Sequence, residues 1–490
     1  MPVARRPLRP LALVVISLFS LSSLASFHAS GAEVEATGSL RVVVAKHEVK
    51  LRHQRGGSVR LNLGAYIAAT GEDFEIQVKR PDYDSPPAAT QVDPTTKATL
   101  QSLPDDALDG WEGLRNFTVV AFRKDSGKLV ARGRFNFCPN SWELQRTGDD
   151  SDELPSYPYS CGAWSPFTKG MVWGLNQGWA ASALSQYGSG QMRVPEGHYS
   201  VTVRIAGKYR QMFGVSPEDA TETLDVTVVG RNGHGDHGAE PGRASQRVGS
   251  YGPTRSVPTI SDPDPSTVAD LVALPTWNMR VRRSGGKDYV GFAVTPWNAG
   301  PAPLVVEGFR QPDADIMDAF QYFYDAQGNA IARAPVGTME YDTRRGHHHW
   351  HFLQFAEFSM IDVSEEEVVR SKKQSFCLVP TDAIDLTVPR AMLREYGGGA
   401  FTQCGRPEAL WVREVLPTGW GDTYYQSVGG QSFNITNLPN GFYKVRVEVN
   451  PTGELYETTT DNNVAERLIY LSGRPGARRL DVSPWHGIDA

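Results

Sequence analysis

Four of the chain's eleven histidines fall within five positions, His347-His348-His349-Trp350-His351. Neutral imidazole nitrogen is a ligand for copper, zinc, nickel or iron, and nitrogen-rich tetragonal ligation favours Cu(II). In an extended segment, side chains alternate between two faces. His347, His349 and His351 then project from one face, and His348 and Trp350 from the other. Same-face neighbours lie about 7 Å apart along a strand. Two imidazoles can therefore share an ion directly, and a third needs some twist or a bulge to join them. Met339 and Tyr341 precede the run and Phe352, Phe355 and Phe358 follow it, with neither glycine nor proline from His347 until Pro380. That setting is a packed strand, not a solvated tag. A second histidine pair, His234 and His237 around Gly235-Asp236, sits in a stretch with the composition of a flexible polar linker.

The elements that must hold the histidines are strands. Leu40 to Val44, Phe117 to Phe122 and Tyr199 to Ile205 are apolar, β-branched or alternating. Phe442 to Val449 alternates cleanly, with Tyr443, Val445, Val447 and Val449 on one face and Lys444, Arg446 and Glu448 on the other. The turn Pro439-Asn440-Gly441 introduces that strand. The phrase Pro195-Glu196-Gly197-His198-Tyr199 enters its own strand in the same way. Ser364 to Lys373 is the best candidate for a short helix. The expected fold is mainly β, with two sandwich-like domains.

The 490 residues suit two domains, and 40% hydrophobic with 21% charged residues permits large cores. The segment 231–262 is rich in Gly, Pro, Ser, His and charge and is the expected linker. Residues 33–230 then form one β-rich module and 263–473 a second domain, with 474–490 as a tail. At the start, Arg5, Arg6 and Arg9 precede the apolar stretch Leu11 to Leu24, and Ser30-Gly31-Ala32 offers a small-x-small cleavage site. These features predict an export signal over residues 1–32 and a secreted, extracellular protein with no membrane span in its mature chain. The net charge of -6, with basic residues scattered, gives no reason to expect nucleic acid as a partner. The four cysteines, Cys138, Cys161, Cys377 and Cys404, predict two disulfides in an oxidising compartment. Three pairings are open, and Cys138–Cys161 with Cys377–Cys404 keeps each bridge within one half of the chain.

Five patches, in order, resemble the lysyl oxidase family in its shorter bacterial form. Ala269-Asp270-Leu271-Val272-Ala273 resembles the family's Pro-Asp-Leu-Val-Ala phrase, with Ala269 in place of proline. His347, His349 and His351 match its His-x-His-x-His copper motif. Lys373-Gln374-Ser375-Phe376-Cys377-Leu378 resembles Lys-Ala-Ser-Phe-Cys-Leu, and Asp422-Thr423-Tyr424 resembles Asp-Thr-Tyr. Val449-Asn450-Pro451, Glu457 and Asn462-Asn463-Val464 complete the set, which covers about 200 residues from Val268 to Tyr470. The resemblance implies copper and a lysine tyrosylquinone cofactor made from Lys373 and Tyr424. It also implies oxidation of primary amines, including peptidyl lysine, by molecular oxygen to aldehydes, with release of hydrogen peroxide and ammonia. Amine attack on an oxidised tyrosine requires neutral lysine, which desolvation favours. Two roles are open for Asp422, orienting the tyrosine or copper shell or simply capping a turn.

The chain also departs from the animal members. Tyr341-Asp342-Thr343-Arg344 stands where they have Trp-Glu-Trp-His, Tyr425 follows Tyr424 where they have glycine, and Met360 replaces a histidine. The general base is left open, with Glu357 and Asp362 as nearby candidates. The first half resembles no named family, and its strands suggest an immunoglobulin-like module. Two rival functions compete with the oxidase. One is a non-catalytic extracellular copper-binding or adhesion protein on the same scaffold. The other is a three-histidine zinc hydrolase, which lacks a His-Glu-x-x-His pattern.

Overall fold

The alternating runs form antiparallel strands, because residues apolar at every second position bury one side of a sheet. A computed structural model describes residues 40–488, apart from 55, 149–150, 153, 185–189, 231–253, 255, 312–313, 344–347, 354, 372, 374 and 395–403. The export-signal segment 1–32, most of the expected linker, the pair His234 and His237, and His347 lie outside the described residues. The protein is mainly β, and among the described residues its one α-helix is Gly207–Met212. No helix among them is long and apolar enough to cross a membrane.

In the second half, a six-stranded sheet runs in the order Ser375–Phe376, His349–Leu353, Ala330–Asp342, Ile316–Tyr324, Leu304–Phe309, Trp411–Leu416. It shares a core with a five-stranded sheet ordered Glu367–Arg370, Ala356–Ile361, Gly441–Val449, Val464–Arg474, Ala477–Val482. Phe376 joins the two sheets, meeting Phe355 and Phe358 edge-on at 5.1 and 6.0 Å between ring centroids. Tyr443, Val445, Val447 and Val449 are buried on one face of their strand, as its alternation requires. At both turn phrases the tyrosine hydroxyl donates to the carbonyl four residues upstream, Tyr443 to Pro439 at 2.8 Å and Tyr199 to Pro195 at 3.0 Å. Such corners are a device of Greek-key sandwiches.

Ser364 to Lys373 is not a helix. The Asp362 carboxylate accepts from the amides of Ser364 and Glu366, Glu365 takes a left-handed φ of 63°, and Glu367–Arg370 pairs with Ala356–Ile361. The short acidic side chain offers the backbone a turn in place of helical bonds, and β-branched Val368 and Val369 suit the strand that follows.

Three patches separated in sequence assemble around Glu457. Its carboxylate accepts from the Leu271 amide at 2.8 Å and from the side-chain amides of Asn450 at 2.6 Å and Asn463 at 2.9 Å. Asn462 reaches Asp270. These residues clasp the start of the second half to its C-terminal hairpin, so their role is architectural.

Thr37 to Ala490 forms one compact unit. The two halves have largely separate cores, yet hydrogen bonds to backbone carbonyls cross between them. Lys169 donates to the Ile384 carbonyl at 2.6 Å, Leu386 to Gly170 at 2.9 Å, and Thr168 Oγ1 to Ala383 at 2.7 Å. Within the stretch expected as a tail, Ala477–Val482 completes a sheet, and Trp485 packs on Tyr83 and Phe167 of the first half. Both disulfides, Cys138–Cys161 and Cys377–Cys404, are present.

Candidate metal and redox site

The histidine strand is the return arm of a hairpin, with Asp342 opposite His349 and Glu340 opposite His351. His348 lies outside the strand, exposed and at a left-handed φ of 43°. His349 and His351 share a face, and their ring centroids are 4.7 Å apart at an interplanar angle of 55°. The rings lean together, closer than the spacing of about 7 Å that the backbone alone sets. His351 is buried, and its Nδ1 lies 3.1 Å from Ser375 Oγ and 3.4 Å from an Asp342 carboxylate oxygen. The carboxylate places the imidazole proton on Nδ1 and leaves the Nε2 lone pair for a metal. Trp350 turns the other way into the core, where its indole donates to the Arg406 carbonyl at 2.9 Å and its amide to Cys404 at 2.8 Å. Among the described residues no three potential ligands converge. Two tilted imidazoles, one backed by a carboxylate, fit a nitrogen-preferring ion such as copper.

Ser375 links this metal side to the lysine. Its hydroxyl touches His351, and its carbonyl accepts from Lys373 Nζ at 2.8 Å. Lys373 has no exposed surface, and its Nζ lies 4.3 Å from the centre of the Tyr424 ring and 4.7 Å from that of Phe376. The Tyr424 ring stands edge-on to Phe376 at 4.6 Å. Its strand position is fixed by paired bonds with Val294, 3.0 and 3.1 Å long, and its hydroxyl donates to the Cys377 carbonyl at 2.9 Å. Tyr424 as a residue is half-buried, whereas its hydroxyl end is enclosed. Burial, then the neighbouring Asp422 and Glu414, hold that phenol well above its ordinary pKa.

Two buried carboxyls flank the pair. Asp422, 2% exposed, lies beside the Tyr424 phenol, and one of its oxygens has no partner. Glu414, fully buried, accepts from the Leu378 amide at 3.0 Å. Burial pushes both carboxyls well above the usual range, and the Lys373 charge opposes the shift. Asp382 stands beside Asp422 and is raised by its own burial.

The base candidates Glu357 and Asp362 lie elsewhere. Glu357 pairs with Arg370 at 2.7 Å, and Asp362 holds the turn described above. Glu414 was legible in principle, because in Trp411–Leu416 it occupies an inward position between Val412 and Leu416. Asp342 and Ser375 carry no sequence signal of their own, since their roles arise only from the register of neighbouring strands.

The lysyl oxidase family model matches residues 313–477. Lysyl oxidase homolog 4 of Mus musculus is 27% identical over 138 residues, covering 28% of this chain and 16% of that protein. Lysyl oxidase homolog 1 of Homo sapiens is 28% identical over 166 residues, 33% of this chain and 26% of that protein. Protein-lysine 6-oxidase of Gallus gallus is 28% identical over 142 residues, 28% of this chain and 30% of that protein. The chain thus spans between a sixth and under a third of these relatives. The matched segment contains the histidine run, Lys373, Glu414, Asp422 and Tyr424, and it is this segment, residues 313–477, that matches the lysyl oxidase family.

Proposed function

We propose that the protein is a secreted copper-dependent amine oxidase that converts primary amines, including peptidyl lysine, to aldehydes. Molecular oxygen is the oxidant, and hydrogen peroxide and ammonia are released. The observation that carries this reading is the lysine amine resting 4.3 Å from the Tyr424 ring centre in a dry pocket. A lysine with no exposed surface is rare, because its ammonium loses its hydration. Here it touches an aromatic ring that it would join in a lysine tyrosylquinone.

His347, His349 and His351 would hold copper, and Asp342 and Ser375 would fix the orientation of His351. Copper and the quinone would together supply oxygen activation and a carbonyl that reacts with primary amines. The chain's own residues have separable tasks. Phe376 and the Ser375 carbonyl position the Lys373 amine over the ring. The Cys377 carbonyl holds the phenol, and Asp422 lies beside it. The half-buried setting of Tyr424 leaves one side of the residue open to an incoming amine, while its hydroxyl end excludes water.

The test is peptide mass analysis of protein loaded aerobically with copper. A covalent product joining the Lys373 and Tyr424 peptides is expected, and it should vanish in Lys373→Ala and Tyr424→Phe. Two separate peptides after copper loading would overturn the reading, as would peroxide release that needs no copper.

A further inference from the structure

The segment from Thr423 to Tyr425 has two faces. Tyr424 turns towards Lys373 and Phe376. Thr423 and Tyr425 turn the other way, to the Thr295 hydroxyl at 2.9 Å and to the Trp277 ring at 5.6 Å. The first half of the chain backs that reverse face. Its Phe167 ring, fully buried, meets Trp277 edge-on at 6.5 Å between centroids. Beside it, the outer strand Gly170–Leu175 of a first-half sheet starts against the second half. Gly170 bridges Asp385 in parallel, and buried Thr168 donates its hydroxyl to the Ala383 carbonyl at 2.7 Å. Asp382–Ala383 in turn pairs with Trp420–Gly421, and the Thr381 hydroxyl accepts from the Thr423 amide at 2.6 Å. Hydrogen bonds thus run from the first half, through residues 381–386, to the residue before Tyr424. Leu386 and Trp420 are themselves buried in the first half's core. A side chain at Gly170 would run into Asp385 and Thr387, so only glycine lets the two backbones approach.

We infer that the first half of the chain is a positioning element for Tyr424, with Thr168 and Gly170 as positioning residues, an inference that rests on the amine oxidase reading above. The segment that matches the lysyl oxidase family begins at residue 313, so this support comes from outside it. The sheet that carries the tyrosine needs such support. Its four strands, Leu271–Val272, Trp297–Asn298, Trp420–Gly421 and Asp382–Ala383, are each two residues long. Strands that short do not hold their own register and depend on what packs against them. The histidine strand is held differently, by pairing with second-half strands on both sides. Loosening the first-half contact would therefore displace Tyr424 from the Lys373 amine, 4.3 Å from its ring centre, and leave the histidines in place. Joining an amine to a ring carbon is sensitive to such a shift, because a misplacement of about 1 Å costs about a hundredfold in rate.

Two measurements on the full-length protein test this. In metal-free protein, amide hydrogen exchange is compared between peptides covering residues 419–425 and 349–353. Thr168→Ala should speed exchange at 419–425 about fivefold, the equivalent of one lost hydrogen bond, and leave 349–353 unchanged. Thr168→Ser should restore the wild-type pattern. Tyr199→Phe, which removes a hydrogen bond elsewhere in the first half, should leave 419–425 as it was. In copper-loaded protein, the covalent product of the Lys373 and Tyr424 peptides is followed over time. Thr168→Ala should form it about tenfold more slowly and Gly170→Val about a hundredfold, both at unchanged copper affinity. A contact that only adds stability would lower the unfolding midpoint of Thr168→Ala and leave both readouts alone. Wild-type values of that variant in either readout therefore overturn the inference. So does exchange that rises equally in the two peptides, or as much in Tyr199→Phe as in Thr168→Ala. If Gly170→Val does not fold, the threonine variants carry the test. A wild-type protein that never crosslinks defeats the oxidase reading instead, and the exchange pattern still judges the role of the first half.

Discussion

Replacing Glu414 by glutamine should stabilise the protein, and by more at higher pH. The side chain is fully buried, one oxygen accepts from the Leu378 amide, and the other has no partner. Burial, reinforced by Asp422, raises its pKa well above the ordinary 4.5. Between those two values the unfolded chain carries an ionised glutamate and the folded protein a protonated one. The folded state then binds more protons, so wild-type stability falls as pH rises through that interval. The loss is about 1.4 kcal/mol per pH unit for this one group. An amide has the same shape as the neutral acid, keeps an oxygen for the Leu378 amide, and does not titrate. Glu414→Gln should match wild type at about pH 4.5 and gain about 1.4 kcal/mol for each unit above it, until the folded pKa is reached. Guanidinium denaturation of metal-free protein with its disulfides intact, repeated from pH 4.5 to 7.5, measures the difference. Parallel stability curves for the two proteins would refute the argument, because they would mean that Glu414 stays ionised in the core. A destabilised variant at every pH would refute it equally.

The histidine geometry separates ligands from bystanders: Asp342→Asn should weaken copper binding about 10- to 100-fold by titration calorimetry, whereas exposed His348→Ala should leave it unchanged. Removing the Cys377–Cys404 bridge with a double alanine variant should cost about 3.5 kcal/mol in denaturant for a crosslink 27 residues apart. The same variant should also weaken copper binding, since the Cys404 carbonyl anchors Trp350 between the two histidines. Tyr199→Phe and Tyr443→Phe each remove one hydrogen bond to an upstream carbonyl and should each cost about 1 kcal/mol by thermal or chemical unfolding.

Much of the β architecture was readable because period-two burial is a local property. The strand over Gly441–Val449 follows from its own alternation, and so do the turns that introduce it and its counterpart at Gly197. The misread helix at Ser364 to Lys373 shows where local reading stops: a single Asp362 side chain, bonding two nearby amides, selected a turn and an edge strand.

The site divides along the same line. By itself the sequence determined a histidine run whose alternate members are candidate ligands, two pairs of cysteines, and the residues that resemble a lysine–tyrosine cofactor pair. Those features depend on residue type and short spacing. The distance from Lys373 to Tyr424 was decided only by tertiary structure, because the two lie far apart in the chain, outside the named strands, and meet beside Phe376. Tertiary structure also turned Asp422 and Glu414 from unremarkable acids into buried neighbours of that lysine. A carboxyl's chemistry is set by what excludes water from it and which charge faces it, and neither is written in the residues beside it in the chain.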